Sequence, residues 1–380
     1  MAFYLRLRRR RSGAHRGVPA DSYRSRLSKL ALLLTLVAGV AWAVSSGQSQ
    51  PATSPEMHKA QASSVQTGSA LLRPRAKRRS LSDRRGIYLT AGTAADAQRI
   101  SALIIQLRRA DLNTVVIDMK TMSGQLVYPS QVPLAQAIGA RGARVLTLPI
   151  KALLARLHRA GLYVIARQVV FYDPLLARRL QSPEAPWVSP LDRRVVSYNL
   201  AIARELAQAG FDELQFDYLR FPDGDRLGGD YRARYQAILH FLQLARQQLA
   251  GRVYLSVDVF GRTLWAWNTK QIDPIGQDLQ EMSRYVDVFS PMIYPSHYEE
   301  ARFRDHPGQT IRESLESGLA RGLKLRPYLQ AFDMRLPQGM TLVNYIRAQV
   351  RAARALGFNS YLFWNPSSDY RALWQALERK

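Results

Sequence analysis

The stretch GFDELQFDYLRFP, Gly210 to Pro222, decides the fold of this chain. It opens on a glycine that follows an amphipathic run and closes on a proline, the signature of a helix exit, a strand and a loop. Its middle carries Asp212, Glu213, Asp217 and Arg220, too many charges for an ordinary core strand. A strand alternates its side chains with a period of two. Leu214, Phe216 and Tyr218 then share one face, suited to a layer of helices. Glu213, Gln215 and Asp217 share the other. A strand that is apolar on one side and polar on the other, between helices, fits the wall of a barrel with a polar lumen.

Seven further stretches repeat the texture. They are GIYLTA from Gly86, NTVVIDMK from Asn113, YVIARQVVF from Tyr163, VYLSVDVFG from Val253, VDVFSPMIYP from Val286, LRPYLQAF from Leu325 and SYLFWNP from Ser360. Amphipathic runs such as IKALLARLHRAGL lie between them. Three runs turn through glycine into the next strand, in RAGLYVIAR, QAGFDELQF and ALGFNSYLF. Eight βα units in residues 85–380 predict a (β/α)8 TIM barrel. The competing doubly wound sheet lacks support: LTAGTAADAQ after the first strand has neither dinucleotide-binding nor P-loop glycine spacing. The long connections 121–149 and 173–199 both follow strands, so both are expected over the catalytic face.

The same alternation sorts the other strands. Ser256 and Asp258 point inward in the fifth, with Val253, Leu255, Val257 and Val259 outward. Asp118 and Lys120 share the inward side of the second. The third offers Arg167 and the seventh Gln330. Tyr294 ends the sixth strand, and Trp364 with Asn365 ends the eighth. These polar groups gather toward the C-terminal ends of their strands, where barrel enzymes carry their chemistry. An unpaired buried carboxylate is costly, so Arg167 and Lys120 are expected to compensate the acids.

The residue inventory narrows the chemistry. There is no cysteine, the six histidines stand at no metal-binding spacing, and no serine occupies a G-x-S-x-G elbow. No metal and no cofactor are expected. His297, after the sixth strand, is a candidate substrate contact. Carboxylates remain, with aromatics at or beyond strand ends: Tyr172, Trp187, Tyr218, Trp265, Trp267, Tyr294 and Trp364. Aromatic faces stack on sugar rings, and two carboxylates supply a nucleophile or base and a general acid for glycosidic cleavage.

The motifs GIYLT (86–90), NTVVIDMK (113–120), YVIARQVVFYDP (163–174), GFDELQFDYLRFP (210–222), SVDVFG (256–261) and SPMIYPSHY (290–298) together resemble a bacterial family of glycoside hydrolase domains. That family is catalogued as a domain of unknown function and is distantly similar to the α-amylase-like TIM barrels. The resemblance covers nearly all of residues 85–378. It implies that Asp217, at the end of the fourth strand, is the nucleophile or base. Amylase-like barrels usually carry a glutamate as general acid after the fifth strand; here the matching place holds Asp258, one methylene shorter. Asp118 and Arg167 resemble residues that line the pocket or steady the nucleophile. Lys120, Arg220, Tyr294, His297, Gln330 and Trp364 complete the expected substrate-binding set. Asp173, in FYDP, is a second acid candidate, weighed against an N-cap for the helix that starts at Pro174.

The N-terminal part reads differently. Residues 1–85 hold 17 Lys+Arg against 3 Asp+Glu, more than half of the formal net charge of +25. Residues 1–29 form a basic, cytoplasmic n-region. LALLLTLVAGVAWAV, 30–44, contains no charge and is expected to be a signal peptide or a membrane anchor. Residues 45–84 are a polar linker expected to be disordered. The expected location is therefore exported: periplasm or cell envelope, with anchoring to the inner membrane through this segment as one outcome. The expected partner is a polysaccharide or oligosaccharide, and no nucleic acid, because the excess charge flanks the apolar segment. A glycan-binding barrel without catalysis and a binder of anionic polymers are the alternatives.

Overall fold

The computed structural model describes residues 79–378, apart from 143 and 226–227. The expected n-region and signal or anchor segment lie outside the described residues, as does most of the expected linker. Residues 79–84 run along the N-terminal end of a barrel, where Arg79 donates to the carbonyls of Leu162 and His158.

Eight parallel strands close in sequence order. They are β1 (Arg85–Leu89), β2 (Thr114–Lys120), β3 (Tyr163–Val169), β4 (Glu213–Asp217), β5 (Tyr254–Phe260), β6 (Val288–Ile293), β7 (Tyr328–Gln330) and β8 (Tyr361–Trp364). Helices join them, and the fold is the (β/α)8 barrel that the alternation predicts. The helix Arg193–Ala209 shows the local logic. Asp192 caps its start, accepting from the Arg194 N–H at 2.8 Å, and Gly210 ends it at φ 103°. That left-handed conformation suits glycine, which has no Cβ to clash.

Outward strand residues pack under the helices. Leu214 and Phe216 are fully buried, and the Phe216 ring meets Phe241 of the helix Arg232–Leu249 edge-on at 5.4 Å. Inward residues build a separate cluster of Tyr88, Val116, Tyr163, Ile165, Tyr294, Tyr328 and Leu362. The lumen floor is polar and built around Glu213. Glu213 accepts from Arg326, from the Ser256 hydroxyl and from the Tyr163 phenol. Above it, Gln215 accepts from the Tyr328 phenol at 2.7 Å and donates to Ser290 at 3.1 Å.

At Gly86 the second strand comes so near that an added Cβ would stand 2.1 Å from the Thr114 carbonyl oxygen. Backbone cannot yield as a side-chain tip can. Gly86→Ala is expected to destabilise the barrel by about 1–3 kcal/mol, read as a shifted urea midpoint.

The alternation fails at two expected positions. Register slips between Asp118 and Lys120, so that Asp118 pairs with Arg167 but Lys120 pairs with Gln168. The bulge turns Lys120 out of the lumen into the helix layer. There it pairs with Asp173 at 2.8 Å and donates to Asn199 at 3.0 Å, all fully buried. Tyr218, expected against the helices, has φ 52° and stands half-exposed at the mouth, its ring 5.2 Å from Tyr172 and 5.7 Å from Trp187.

Candidate active site

The C-terminal mouth is organised around one guanidinium. Arg167, on β3, donates through Nε and Nη2 to Asp217 Oδ2 at 3.0 and 2.5 Å, and through Nη1 to Asp118 Oδ1 at 2.5 Å. Tyr88, on β1, donates to the other oxygen of Asp118 at 2.5 Å. Asp217 Oδ1 accepts from the backbone N–H of Tyr218 at 2.6 Å. Burial alone would lower the Arg167 pKa, but Asp118 and Asp217 more than offset it and hold the group well above its ordinary value. Asp118 and Asp217 thus share one fixed cation.

Asp258, on β5, enters this field as a third acid. Its Oδ2 lies 3.9 Å from Arg167 Nε, and its Oδ1 has no hydrogen-bond partner among the described residues. Burial first and the charge of Asp217 second push its pKa well above the ordinary carboxyl value; Arg167 and Arg326 oppose the shift. Asp258 therefore keeps its proton where exposed carboxyls have lost theirs. The arrangement also bounds a distance. Asp217 Oδ2 and Asp258 Oδ2 stand 3.0 and 3.9 Å from the same nitrogen, so they are no more than about 6.9 Å apart.

Aromatic groups close over the acids. Trp364, at the end of β8, stacks on Tyr88 at 3.9 Å and lies 5.1 Å from the Arg167 guanidinium. Tyr294, just past β6, is buried with an unpartnered phenol among the described residues. Burial, then the charges of Asp258 and Asp217, raise its pKa, so it remains a donor. Tyr294 and Trp364 open onto a cleft of about 850 Å³, also lined by His297, Phe332, Asn365 and Asp369. Burial, then Arg335, lower the His297 pKa, which keeps its ring neutral near pH 7.

The structure thus brings together Asp118, Arg167, Asp217, Asp258, Tyr294 and Trp364, and sets His297 in the adjoining cleft. It does not bring Lys120 or Gln330 into the pocket. Gln330 is fully buried between loops, donating to the Phe332 carbonyl and accepting from the Tyr345 phenol. Asp173 caps the helix Pro174–Leu180, accepting from the Leu176 N–H at 2.9 Å. Trp265 packs on Phe303, away from the acids. Sequence reasoning missed Tyr88. Its signal was present, since Tyr88 falls on the inward phase of GIYLTA near the strand's end. Among the described residues no group of three or more acids and histidines is placed to hold a metal ion, and no helix is long and apolar enough to cross a membrane.

Comparison with known proteins bears on the reaction. The family model described as "Putative glycosyl hydrolase domain" matches residues 86–370. The glycoside hydrolase domain of PgaB (BpsB) from Bordetella bronchiseptica is 16% identical, with a TM-score of 0.59 over 78% of this chain and 99% of that one. An endo-1,4-beta-D-mannanase from Thermotoga petrophila is 12% identical, with a TM-score of 0.51 over 76% of this chain and 92% of that one. A hypothetical protein from Ruminiclostridium thermocellum is 31% identical over 46% of this chain and 97% of its own, with a TM-score of 0.40. No curated protein matches the chain. The first two likenesses show the barrel fold; the family match covers three quarters of the chain. The chain belongs to that glycosyl hydrolase domain family, and the protein is a hydrolase.

Proposed function

We propose that the barrel cleaves glycosidic bonds of an envelope or extracellular polysaccharide, with Asp217 as nucleophile and Asp258 as general acid. One observation carries this reading: Arg167 holds a pair of carboxylates while a third acid, Asp258, lies 3.9 Å from the same guanidinium, with its pKa pushed up by burial and by the charge of Asp217. Glycosidic cleavage passes through an oxocarbenium-like, positively charged transition state. A carboxylate held close to the anomeric carbon stabilises that charge. The leaving oxygen needs a proton, which Asp258 holds. The bound of about 6.9 Å between the two Oδ2 atoms admits the roughly 5–5.5 Å carboxyl separation of retaining enzymes. We read the mechanism as retaining, with Asp217 forming the glycosyl-enzyme bond and Asp258 then drawing the proton from the attacking water; the product anomer decides between retention and inversion.

Arg167 orients Asp217, and Trp364, Tyr294 and His297 offer surfaces and donors for sugar rings at the cleft. The envelope setting rests on the basic and apolar N-terminal pattern of the sequence. The test is hydrolysis of a glycan panel by the full chain, with the product anomer followed by NMR. Tight binding without turnover on every glycan would assign the barrel to glycan recognition instead.

The raised pKa of Asp258 has a pH signature. Between the unfolded carboxyl value, about 3.9, and the higher folded value, the folded state holds one more proton than the unfolded state. Stability from this group therefore falls as pH rises through that window. Asp258→Asn, which has no charge to bury, is expected to raise stability relative to wild type at neutral and alkaline pH. The same variant is expected to lose the alkaline limb of the kcat/KM profile along with about 10²–10⁴-fold in rate. Thermal melts and rate profiles across pH check both.

A further inference from the structure

The mouth holds a second guanidinium that the reaction does not require. Arg220 follows β4 by three residues, and its Cζ lies over three aromatic rings: Phe260 at 4.5 Å, Trp187 at 4.7 Å and Tyr218 at 5.2 Å. Tyr218 directly follows Asp217, and Phe260 stands two residues past Asp258. Arg220 is thus beside the acids, on the β3–β5 side of the mouth. In a barrel closed in sequence order, β4 lies across from β8, so the Trp364 cleft is on the far side. A glycan reaching from one to the other would cross the acids.

Arg220, half-buried at the mouth, lacks what the buried arginines of the barrel have. Arg167, Arg262 and Arg326 each meet carboxylates at hydrogen-bond distance. Among the described residues, Arg220 donates one hydrogen bond, Nη1 to the Phe221 carbonyl at 3.1 Å, and forms no ion pair within 4.0 Å. Asp223, the acid next in sequence, is engaged by Arg262, at 2.9 Å to one of its oxygens. Burial lowers the Arg220 pKa, and Asp223 and Asp217 attract it only from a distance. Ring faces recover part of the desolvation cost of a cation, but they leave its N–H edge without an anion. The backbone that places one of those rings is strained, with Tyr218 at φ 52°.

We infer that Arg220 is an anion-binding subsite of the glycan site, taking an oxyanion substituent of an acidic polysaccharide: the carboxylate of a uronic acid or a sulfate ester. A guanidinium binds such groups through paired N–H bonds, while the flanking rings present faces to the sugar. The charge of the barrel agrees, since residues 86–380 hold 37 Lys+Arg against 26 Asp+Glu, a balance that attracts a polyanion. The inference rests on the proposed glycan cleavage.

The experiment compares the full-length wild type with R220Q and R220K on three sets of probes: uronans, sulfated glycans and neutral glycans. Thermal melts check that the variants fold. Wild type is expected to prefer one acidic set, and which set identifies the anion. R220Q is expected to raise KM for that set at least about tenfold, the effect of one charge-assisted bonding pair, and R220K to restore part of it. Turnover of neutral glycans only, or an acidic preference that survives in R220Q, would overturn the subsite and leave the hydrolase standing. Salt-sensitive binding of single-stranded DNA through Arg220, as tight as that of the acidic glycans, would overturn it too. Binding without hydrolysis across all three sets sinks the reading beneath it.

Discussion

Asp217→Asn is expected to lower kcat by about 10⁴-fold on any glycan that the wild type cleaves, the scale on which loss of a nucleophile is felt. Asparagine preserves the volume and one acceptor for Arg167, so the network around it persists and the fold with it. On the proposed mechanism, what is lost is the carboxylate that attacks the anomeric carbon and the charge that faces the transition state. A companion variant separates these roles. In Asp217→Ala the missing carboxylate leaves room for a small external nucleophile, so added azide is expected to restore turnover and give a glycosyl azide product. Rate loss without azide rescue, together with inversion at the anomeric centre, would make Asp217 a base rather than a nucleophile. Unchanged turnover in Asp217→Asn would remove it from the chemistry.

Arg167→Met is expected to have the largest effect on stability. Arg167 is buried and bonds Asp217 and Asp118 with three N–H groups. Its removal leaves two buried carboxylates facing each other without a cation. Breaking a buried ion pair on one side costs about 3–5 kcal/mol, and here two acids lose their partner at once. Urea unfolding monitored by tryptophan fluorescence reads the change. The double variant Arg167→Met with Asp118→Asn is expected to recover part of the loss, because one uncompensated charge goes with it. Full stability in Arg167→Met alone would mean that the network contributes nothing. Arg167→Lys is expected to fold better than the Met variant yet remain slow, since a single ammonium cannot reproduce the fork that holds both carboxylates.

The barrel and most of its lumen were legible in the chain. Period-two alternation in ELQFD and YLSVDVF assigned Glu213, Gln215, Asp217, Ser256 and Asp258 inward, and the closed sheet places them there. Asp118 and Arg167 were legible for the same reason. Lys120 was not. It sits two residues after Asp118, so alternation puts both on one face, but the bulge between them reverses its direction. The bulge is set by packing: Lys120 finds Asp173 and Asn199 in the helix layer, a buried counterion and acceptor that no window around 120 reveals. Gln330 stands in regular register at the end of β7, but its amide is taken up by Phe332 and Tyr345, which the sequence around 330 does not reveal. Tyr218 departs because its backbone turns left-handed directly after Asp217, which only the surrounding loops hold in place.

Alternation is a property of an extended backbone, independent of what surrounds it, so sequence alone determined how many strands there are and, wherever the strand stays regular, which side chains share a face. It also determined that the lumen is acidic, since carboxylates on that phase have nowhere else to go. Which of those acids meet was decided by tertiary structure. Arg167 and Asp217 are 50 residues apart, and Glu213 and Arg326 are 113 apart. Their contact depends on the register of strands across a closed barrel, a long-range quantity. The raised pKa of Asp258 is decided the same way. It follows from burial beside the charge of Asp217, with Arg167 already committed to two other carboxylates.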